Sequence, residues 1–325
     1  MKESFVHLRL HTEYSLVDSV VRVPELMDAV VAAGMPAVAL TDESNLFAMV
    51  KFYKAALAKG VKPLIGVDLW LAEGKDREPP SRLTLLCQNE VGYLNLSRLV
   101  SRGYLEGQRR DTPLVEREWL TEGATAGLIA LSGAMEGDVG RSLLNGRPAE
   151  ARRQAEGWRS LFGDRYYLEL QRVGRPGEGN HVAAALELAT ELQLPVVATN
   201  DVRFLAESDF ESHEARVCIH DGAQLADPSR LRKYTREQYL RSAEEMAARF
   251  ADIPEALANT VAIARRCSLP LKLGESRLPI YPVPSGESAE DHIRTLSQAG
   301  LESRWAVRPE GWLTDARRSD YDARL

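Results

Sequence analysis

The chain has 325 residues, 44% apolar and 27% charged, with a formal net charge of -6 and a pI near 5.7. This is globular material, long enough for one large domain with a buried core and a smaller appendage, and the disordered and fibrous classes are excluded. The acidic balance leaves no electrostatic footprint for gripping nucleic acid directly, and no apolar run approaches a membrane span.

The opening stretch Phe5 to Ser15, FVHLRLHTEYS, alternates Val6, Leu8 and Leu10 with His7, Arg9 and His11. An extended segment there sets apolar residues on one face and three nitrogen-bearing side chains on the other. Imidazoles at alternate positions can share a metal ion, whereas the guanidinium between them stays protonated and cannot ligate one. Cys87, Cys218 and Cys267 lie far apart without CxxC spacing, and MKESFVHLRL has no signal-peptide core, so a reducing cytoplasm is expected.

A short apolar run followed by an amphipathic helical pattern then recurs. Pro24 opens a helix over Glu25 to Ala33 that Gly34 stops, and Ala37 to Leu40 is a buried strand. TDESN (Thr41 to Asn45) forms the loop at its carboxyl end, and Leu46 to Lys59 is the next helix, stopped by Gly60. Strands follow over 64–67, 83–87, 128–131, 166–170 and 196–198, with helices over 93–105, 149–161 and 182–192. This alternation predicts a parallel sheet with helices outside, and seven or more units favour closure into a barrel. After Asn200 three helical patterns follow one another, Ser208 to His220, Ser242 to Phe250 and Pro254 to Cys267, with Ser242 and Glu245 as a capping box. LPIYPVPSGES from Leu278 is a proline-rich linker. It leads to a helix over Ala289 to Trp305 and a charged tail with little core of its own.

Chemistry in a parallel barrel sits at the carboxyl ends of the strands. Those ends carry His11, then Asp42 and Glu43, then Asp68, then Ser132 to Ala134, and finally Asp201 with Arg203. Carboxylates with imidazole suit zinc, manganese or magnesium, while Asp and Asn after a strand equally serve to cap the next helix.

HLRLHTEYSL, TDESNL, KFYKAALAKGVKPLIGVDL, LSGAMEGDVGRSLL, VVATNDVRFL, FADIPEALANTVAIARRC and LPIYPVP together resemble the N-terminal region of the alpha subunits of bacterial DNA polymerase III, the replicative C-family polymerases. That region is a PHP (polymerase and histidinol phosphatase) domain. The resemblance implies a distorted seven-unit (βα) barrel of PHP type over residues 1–277, with its site at the carboxyl strand ends. Residues 278–325 would be the Pro-rich linker and the incomplete beginning of the palm. In members with an intact site, three metal ions are held by nine side chains. The positions of that set that carry a metal ligand outright are His11, Asp42 and Asp201. Glu43 and Asp68 stand where the family has a histidine and a glutamate, Arg9, Arg82 and Arg203 where it has histidines, and Ala134 where it has a cysteine.

Arginines are cations at any accessible pH and repel a divalent ion. Arg9, Arg82 and Arg203 are therefore expected to form an internal ion-pair network with Asp42, Glu43, Asp68 and Asp201, a vestigial metal site with no catalytic residue and no cofactor. Two functional classes follow from the resemblance. In one, the domain is an inactive scaffold that braces the palm and docks the epsilon proofreading exonuclease, with DNA and magnesium engaged only through the full polymerase, a DNA-directed nucleotidyltransferase. In the other, it is a residual metal-dependent phosphoesterase or 3'-5' exonuclease using His11, Asp42 and Asp201. His7, His213, His220 and Cys218 read as structural or surface residues. Arg98, Arg102, Arg109 and Arg110 form a positive patch, either a solvated helix face or a contact for phosphate or an acidic partner.

Overall fold

The computed structural model describes residues 5–72, 79–109, 112–275, 278–284 and 286–325. It divides into two compact units, Met1–Pro270 and Leu271–Leu325. The first unit holds strands β1 (Ala37–Leu40), β2 (Lys62–Ala72), β3 (Ser81–Cys87), β4 (Gln108–Arg109), β5 (Thr112–Glu116), β6 (Leu128–Leu131), β7 (Tyr166–Gln171) and β8 (Val196–Thr199). Its helices are α1 (Val23–Ala32), α2 (Met49–Ala58), α3 (Glu90–Glu106), α4 (Glu122–Thr125), α5 (Asp138–Leu144), α6 (Pro148–Phe162), α7 (Glu178–Leu192), α8 (Phe210–Asp221), α9 (Ala243–Arg249) and α10 (Pro254–Arg266).

Local chemistry accounts for the helix ends. Proline occupies the first turn of α1, α6 and α10, where its missing N–H costs nothing. The Asn89 side chain caps α3 by accepting from Gly92 N–H, and Ser242 with Glu245 forms the expected capping box of α9.

The sheet is mixed. β2 pairs in parallel with β1 and β5, β6 with β7, and β7 with β8. In contrast to the parallel expectation, β3 runs antiparallel to both β2 and β6. Among the described residues no helix lies between β2 and β3, and β3 pairs directly beside β2. The consequence is functional, because the first residues of β3 lie at the carboxyl end of β2, with Arg82 opposite Trp70. The opening segment bonds to both extremities of this path. Ala39 N–H donates to His7 C=O and Thr41 N–H to Leu10 C=O on one side, and His11 N–H donates to Val202 C=O and Val202 N–H to Arg9 C=O on the other.

Alternation along the strands divides the interior into two layers. At the amino ends Ala37, Ala39, Leu64, Leu86, Ile129, Leu131, Tyr167 and Val197 form one apolar cluster with Val6, Leu8 and the α10 residues Ile263, Ala264 and Cys267. Two residues on, at the positions that share that face, Leu64 gives way to Gly66 and then Asp68, Tyr167 to Glu169, and Val197 to Thr199 and Asp201. One face thus changes from apolar to charged within a single strand length, and helix α10 covers the apolar end.

The second unit contains α11 (Ala289–Ala306) and α12 (Asp315–Asp322). Trp305 is buried and meets the Tyr321 ring edge-on at 6.4 Å between centroids. Among the described residues no helix is long and apolar enough to cross a membrane.

Candidate functional site

The charged layer is assembled from nine separate places in the chain. The opening segment brings Arg9 and His11, and the loop before α1 brings Asp18. Glu43 follows β1, and Asp68 lies in β2 with Arg82 facing it from β3. Glu136 sits in the short turn after β6, Glu169 in β7, Arg175 after β7, and Asp201 with Arg203 after β8. Three of the joining loops hold a non-glycine residue in the left-handed region, Ser44 at φ 50°, Ala134 at φ 48° and Asp201 at φ 47°. Such conformations are uncommon and persist where the surroundings over-determine them.

Arg9 is the hub. Its side chain is fully buried, and its guanidinium reaches Asp68 at 2.9 Å, Asp201 at 3.3 Å, Glu169 at 3.4 Å and Glu136 at 3.5 Å. Arg82 bonds Glu43 at 2.5 Å, lies 3.3 Å from Asp68 and stacks on the Trp70 ring at 3.5 Å. Arg203 donates to Asp201 through Nε at 3.1 Å and Nη2 at 2.6 Å, and to Asp18 through Nη1. Arg175 donates to Asp201 at 2.7 Å and to Glu136 at 3.4 Å. The two ring nitrogens of His11 face Asp18 at 3.0 Å and Asp68 at 3.1 Å.

The titration behaviour follows from burial and from these partners. Burial alone would push the Asp68 carboxyl up, but the Arg9 and Arg82 guanidiniums, with His11, hold it well below the usual carboxylate range. Asp201 is held low against the same burial by Arg203, Arg9 and Arg175. For His11, burial and the neighbouring Arg203 act downward, yet Asp18 and Asp68 more than offset them and leave its pKa raised. Glu169 goes the other way: burial raises it, and Arg9 opposes this only in part. Its Oε1 accepts from Thr199 Oγ1 and from Gln171 Nε2, while Oε2 has no hydrogen-bond partner among the described residues.

Of the residues singled out in the sequence, Arg9, His11, Glu43, Asp68, Arg82, Asp201 and Arg203 do converge. Asp42 does not join the ion pairs. Its carboxylate accepts from Thr12 N–H at 2.6 Å, from Thr12 Oγ1 and from Ser15 Oγ at 2.8 Å, so it holds the turn after the opening segment in the capping role. Ala134 is buried in the turn that carries Glu136. Asp18, Glu136, Glu169 and Arg175 are members of the network that the sequence reading did not name. A glutamate inside YYLELQ, a strand buried at all six positions, is the one of these with a signal of its own, since a fully buried carboxylate needs a partner.

The remaining candidates are structural. His7 Nε2 bonds Arg241 C=O at 2.9 Å and His213 Nε2 bonds Asp18 C=O at 2.9 Å, both rings being buried. His220 pairs with Asp221 at the surface, and Cys218 is a buried free thiol. Arg102 pairs with Glu106 and Arg109 with Glu116, and Arg110 lies outside the described residues.

The fold and this layer define a class: an α/β domain with a buried ionic site at the carboxyl ends of its strands. The PHP domain model matches residues 7–173, and the chain belongs to the PHP domain family. The chain is 50% identical to a DNA polymerase III subunit alpha from Pseudomonas fluorescens over 307 residues, 94% of this chain and 26% of that protein. It is 47% identical to those of Vibrio cholerae and of Escherichia coli K12 over 322 residues, 99% of this chain and 28% of each relative. The chain thus spans about a quarter of the length of the curated relatives it matches. Among solved structures, an amidohydrolase from Chromobacterium violaceum aligns over 66% of this chain and 97% of its own with a TM-score of 0.45 at 15% identity.

Proposed function

We propose that this chain is the N-terminal part of a replicative DNA polymerase alpha subunit, in which the PHP site has exchanged metal chemistry for structure. The observation that carries this reading is Arg9, fully buried with four carboxylates within 3.5 Å. The residues present do not fit a divalent ion. Cations occupy the space among the carboxylates, both His11 nitrogens are engaged by aspartates, and the Asp42 oxygens are taken by Thr12 and Ser15. In this reading the ion pairs fix the loops at the strand ends, and the rigid domain braces the palm and serves as the docking platform for the epsilon proofreading exonuclease. Template-directed synthesis, with its magnesium and its DNA, belongs to the whole subunit, in the cytoplasm.

The competing reading is a residual metal-dependent phosphoesterase or 3'-5' exonuclease that uses His11, Asp42 and Asp201. Elemental analysis of the purified chain after equilibration with zinc or manganese, together with an exonuclease assay, separates the two. Substoichiometric metal and no cleavage are expected. Stoichiometric metal with EDTA-sensitive cleavage would overturn the scaffold reading.

A further inference from the structure

The segment from Gly222 to Thr235 leads from the end of α8 towards Tyr239, which bridges to Phe204, and the backbone does little to fasten it. Between Gln224 and Tyr234 the backbone–backbone hydrogen bonding among the described residues is local, from Asp227 N–H to Gln224 C=O. Nor does the core hold it, since Leu225 is 47% and Leu231 79% exposed. A stretch with so few bonds and so little burial stays in place only where side chains tie it down.

Side chains do tie it, through charge. Glu211, Glu214 and Asp221 recur along one stripe of α8 at spacings of three and seven residues, and Arg230, Lys233 and Arg236 come from the segment and its end. Arg230 bonds Glu214 at 2.5 Å, Lys233 bonds Asp221 at 2.8 Å, and Arg236 lies 3.4 Å from Glu211. The first is an inner pair, its side chains 8% and 3% exposed, and the other two face solvent. The inner pair is held at a single point, because Arg230 Nε and Glu214 Oε1 have no hydrogen-bond partner among the described residues. Both groups regain water when the segment lifts, so desolvation offsets much of the attraction.

The segment covers the charged layer. Lys233 and Tyr234 complete the wall of a cavity of about 460 Å³ whose other sides include Asp18, Arg82, Arg175 and Arg203. The Tyr234 ring stands edge-on to His213 at 4.7 Å and 5.7 Å from the Arg203 guanidinium, and its hydroxyl donates to Asp18 at 3.4 Å.

We propose that residues 222–235 form a strap, latched to α8 by ion pairs, that closes the charged layer against solvent and opens as those pairs are screened or removed. The test is limited trypsin digestion of the 325-residue chain, with the cut sites read by mass spectrometry and the rates normalised to a small arginine substrate. A protease cuts within a native chain when the segment detaches, so the rate follows the open population. Cleavage after Arg232 and Lys233 should rise roughly threefold or more between about 0.05 and about 0.5 M salt. Arg230→Ala should raise it roughly tenfold at low salt while the circular dichroism stays unchanged, since the residue lies outside the core. In the same variant, hydrogen exchange should quicken over residues 16–20, around the covered Asp18. Cleavage indifferent to either salt or Arg230→Ala would overturn the latch. Faster cleavage with unaltered exchange around Asp18 would make the segment a tethered loop and overturn its closing role.

Discussion

Replacing Arg9 by alanine removes the hub of the charged layer and nothing exposed. Its four partners are not equally dependent on it. Asp201 keeps Arg203 at 2.6 Å and Arg175 at 2.7 Å, Asp68 keeps Arg82 at 3.3 Å, and Glu136 keeps Arg175 at 3.4 Å. Glu169 has Arg9 as its only ion-pair partner among the described residues. Breaking a buried pair by deleting one partner costs about 3–5 kcal/mol, and the retained arginines favour the lower end. In a unit of this size that is a fall of roughly 6–20 °C in melting temperature at pH 8.

The pH dependence carries a definite sign. In the unaltered chain the Asp68 carboxyl is held low, so its contribution is complete above the unfolded value near 4 and is lost as pH falls through the lower folded value. Without Arg9, Asp68 and Glu169 rise, a proton relieves the stranded charge, and the deficit relative to the unaltered chain shrinks as pH falls from 8 towards 5. Thermal scans by circular dichroism at several pH values measure both quantities. Arg9→Met, which keeps most of the volume, separates charge from packing and should melt close to Arg9→Ala. A melting temperature within about 2 °C of the unaltered chain at pH 8 would refute the network as a source of stability.

Asp42→Ala should cost roughly 1–3 kcal/mol in urea unfolding, because it leaves the buried Thr12 and Ser15 donors without their acceptor; no measurable loss would remove Asp42 from the turn-holding role. His181 is buried, its Nδ1 has no hydrogen-bond partner among the described residues, and burial pushes its pKa down to about 4. The unfolded chain therefore takes up a proton first, and stability drops by up to about 3 kcal/mol as pH falls from 6.5 to 4. His181→Leu should flatten that part of the stability profile, and an unaltered slope would count against it. Gly92→Ala should destabilise although alanine is the better helix former by about 1 kcal/mol, since a Cβ there would stand 1.9 Å from the Gly127 carbonyl oxygen; an unchanged urea midpoint would contradict that contact.

Much of this architecture is legible in the sequence, where local signals and tertiary packing agree. The periodicity of Ala37–Leu40 and Leu128–Leu131 gives those strands with their observed ends, and the Ser242–Glu245 capping box is present as expected. Strand direction was not legible: nothing in SRLTLLC says that β3 returns antiparallel beside β2, because alternation is blind to polarity. The site divided in the same way. Residues in recognisable loop motifs were found, whereas Glu136 and Arg175 enter only through turns whose geometry the sequence does not encode locally. Asp42 follows a strand and so reads as part of the charged layer, yet its carboxylate accepts from Thr12 and Ser15 instead.

The composition of the charged layer accounts for how so many ionisable side chains are buried together. Arg9, Arg82, Arg175 and Arg203 face Asp18, Glu43, Asp68, Glu136, Glu169 and Asp201, four cations against six carboxylates. An excess of two negative charges in a buried volume is costly, and the two remaining titrations both reduce it. His11, raised between two aspartates, adds a positive charge when it holds its proton. Glu169, raised by burial with one oxygen unpartnered among the described residues, removes a negative one when it holds its own. Guanidiniums meet most of the requirement with fixed, planar forks that bind two carboxylates at once, and a histidine and a glutamate adjust the remainder. Within this layer Arg9 matters most for Glu169, of which it is the only ion-pair partner among the described residues.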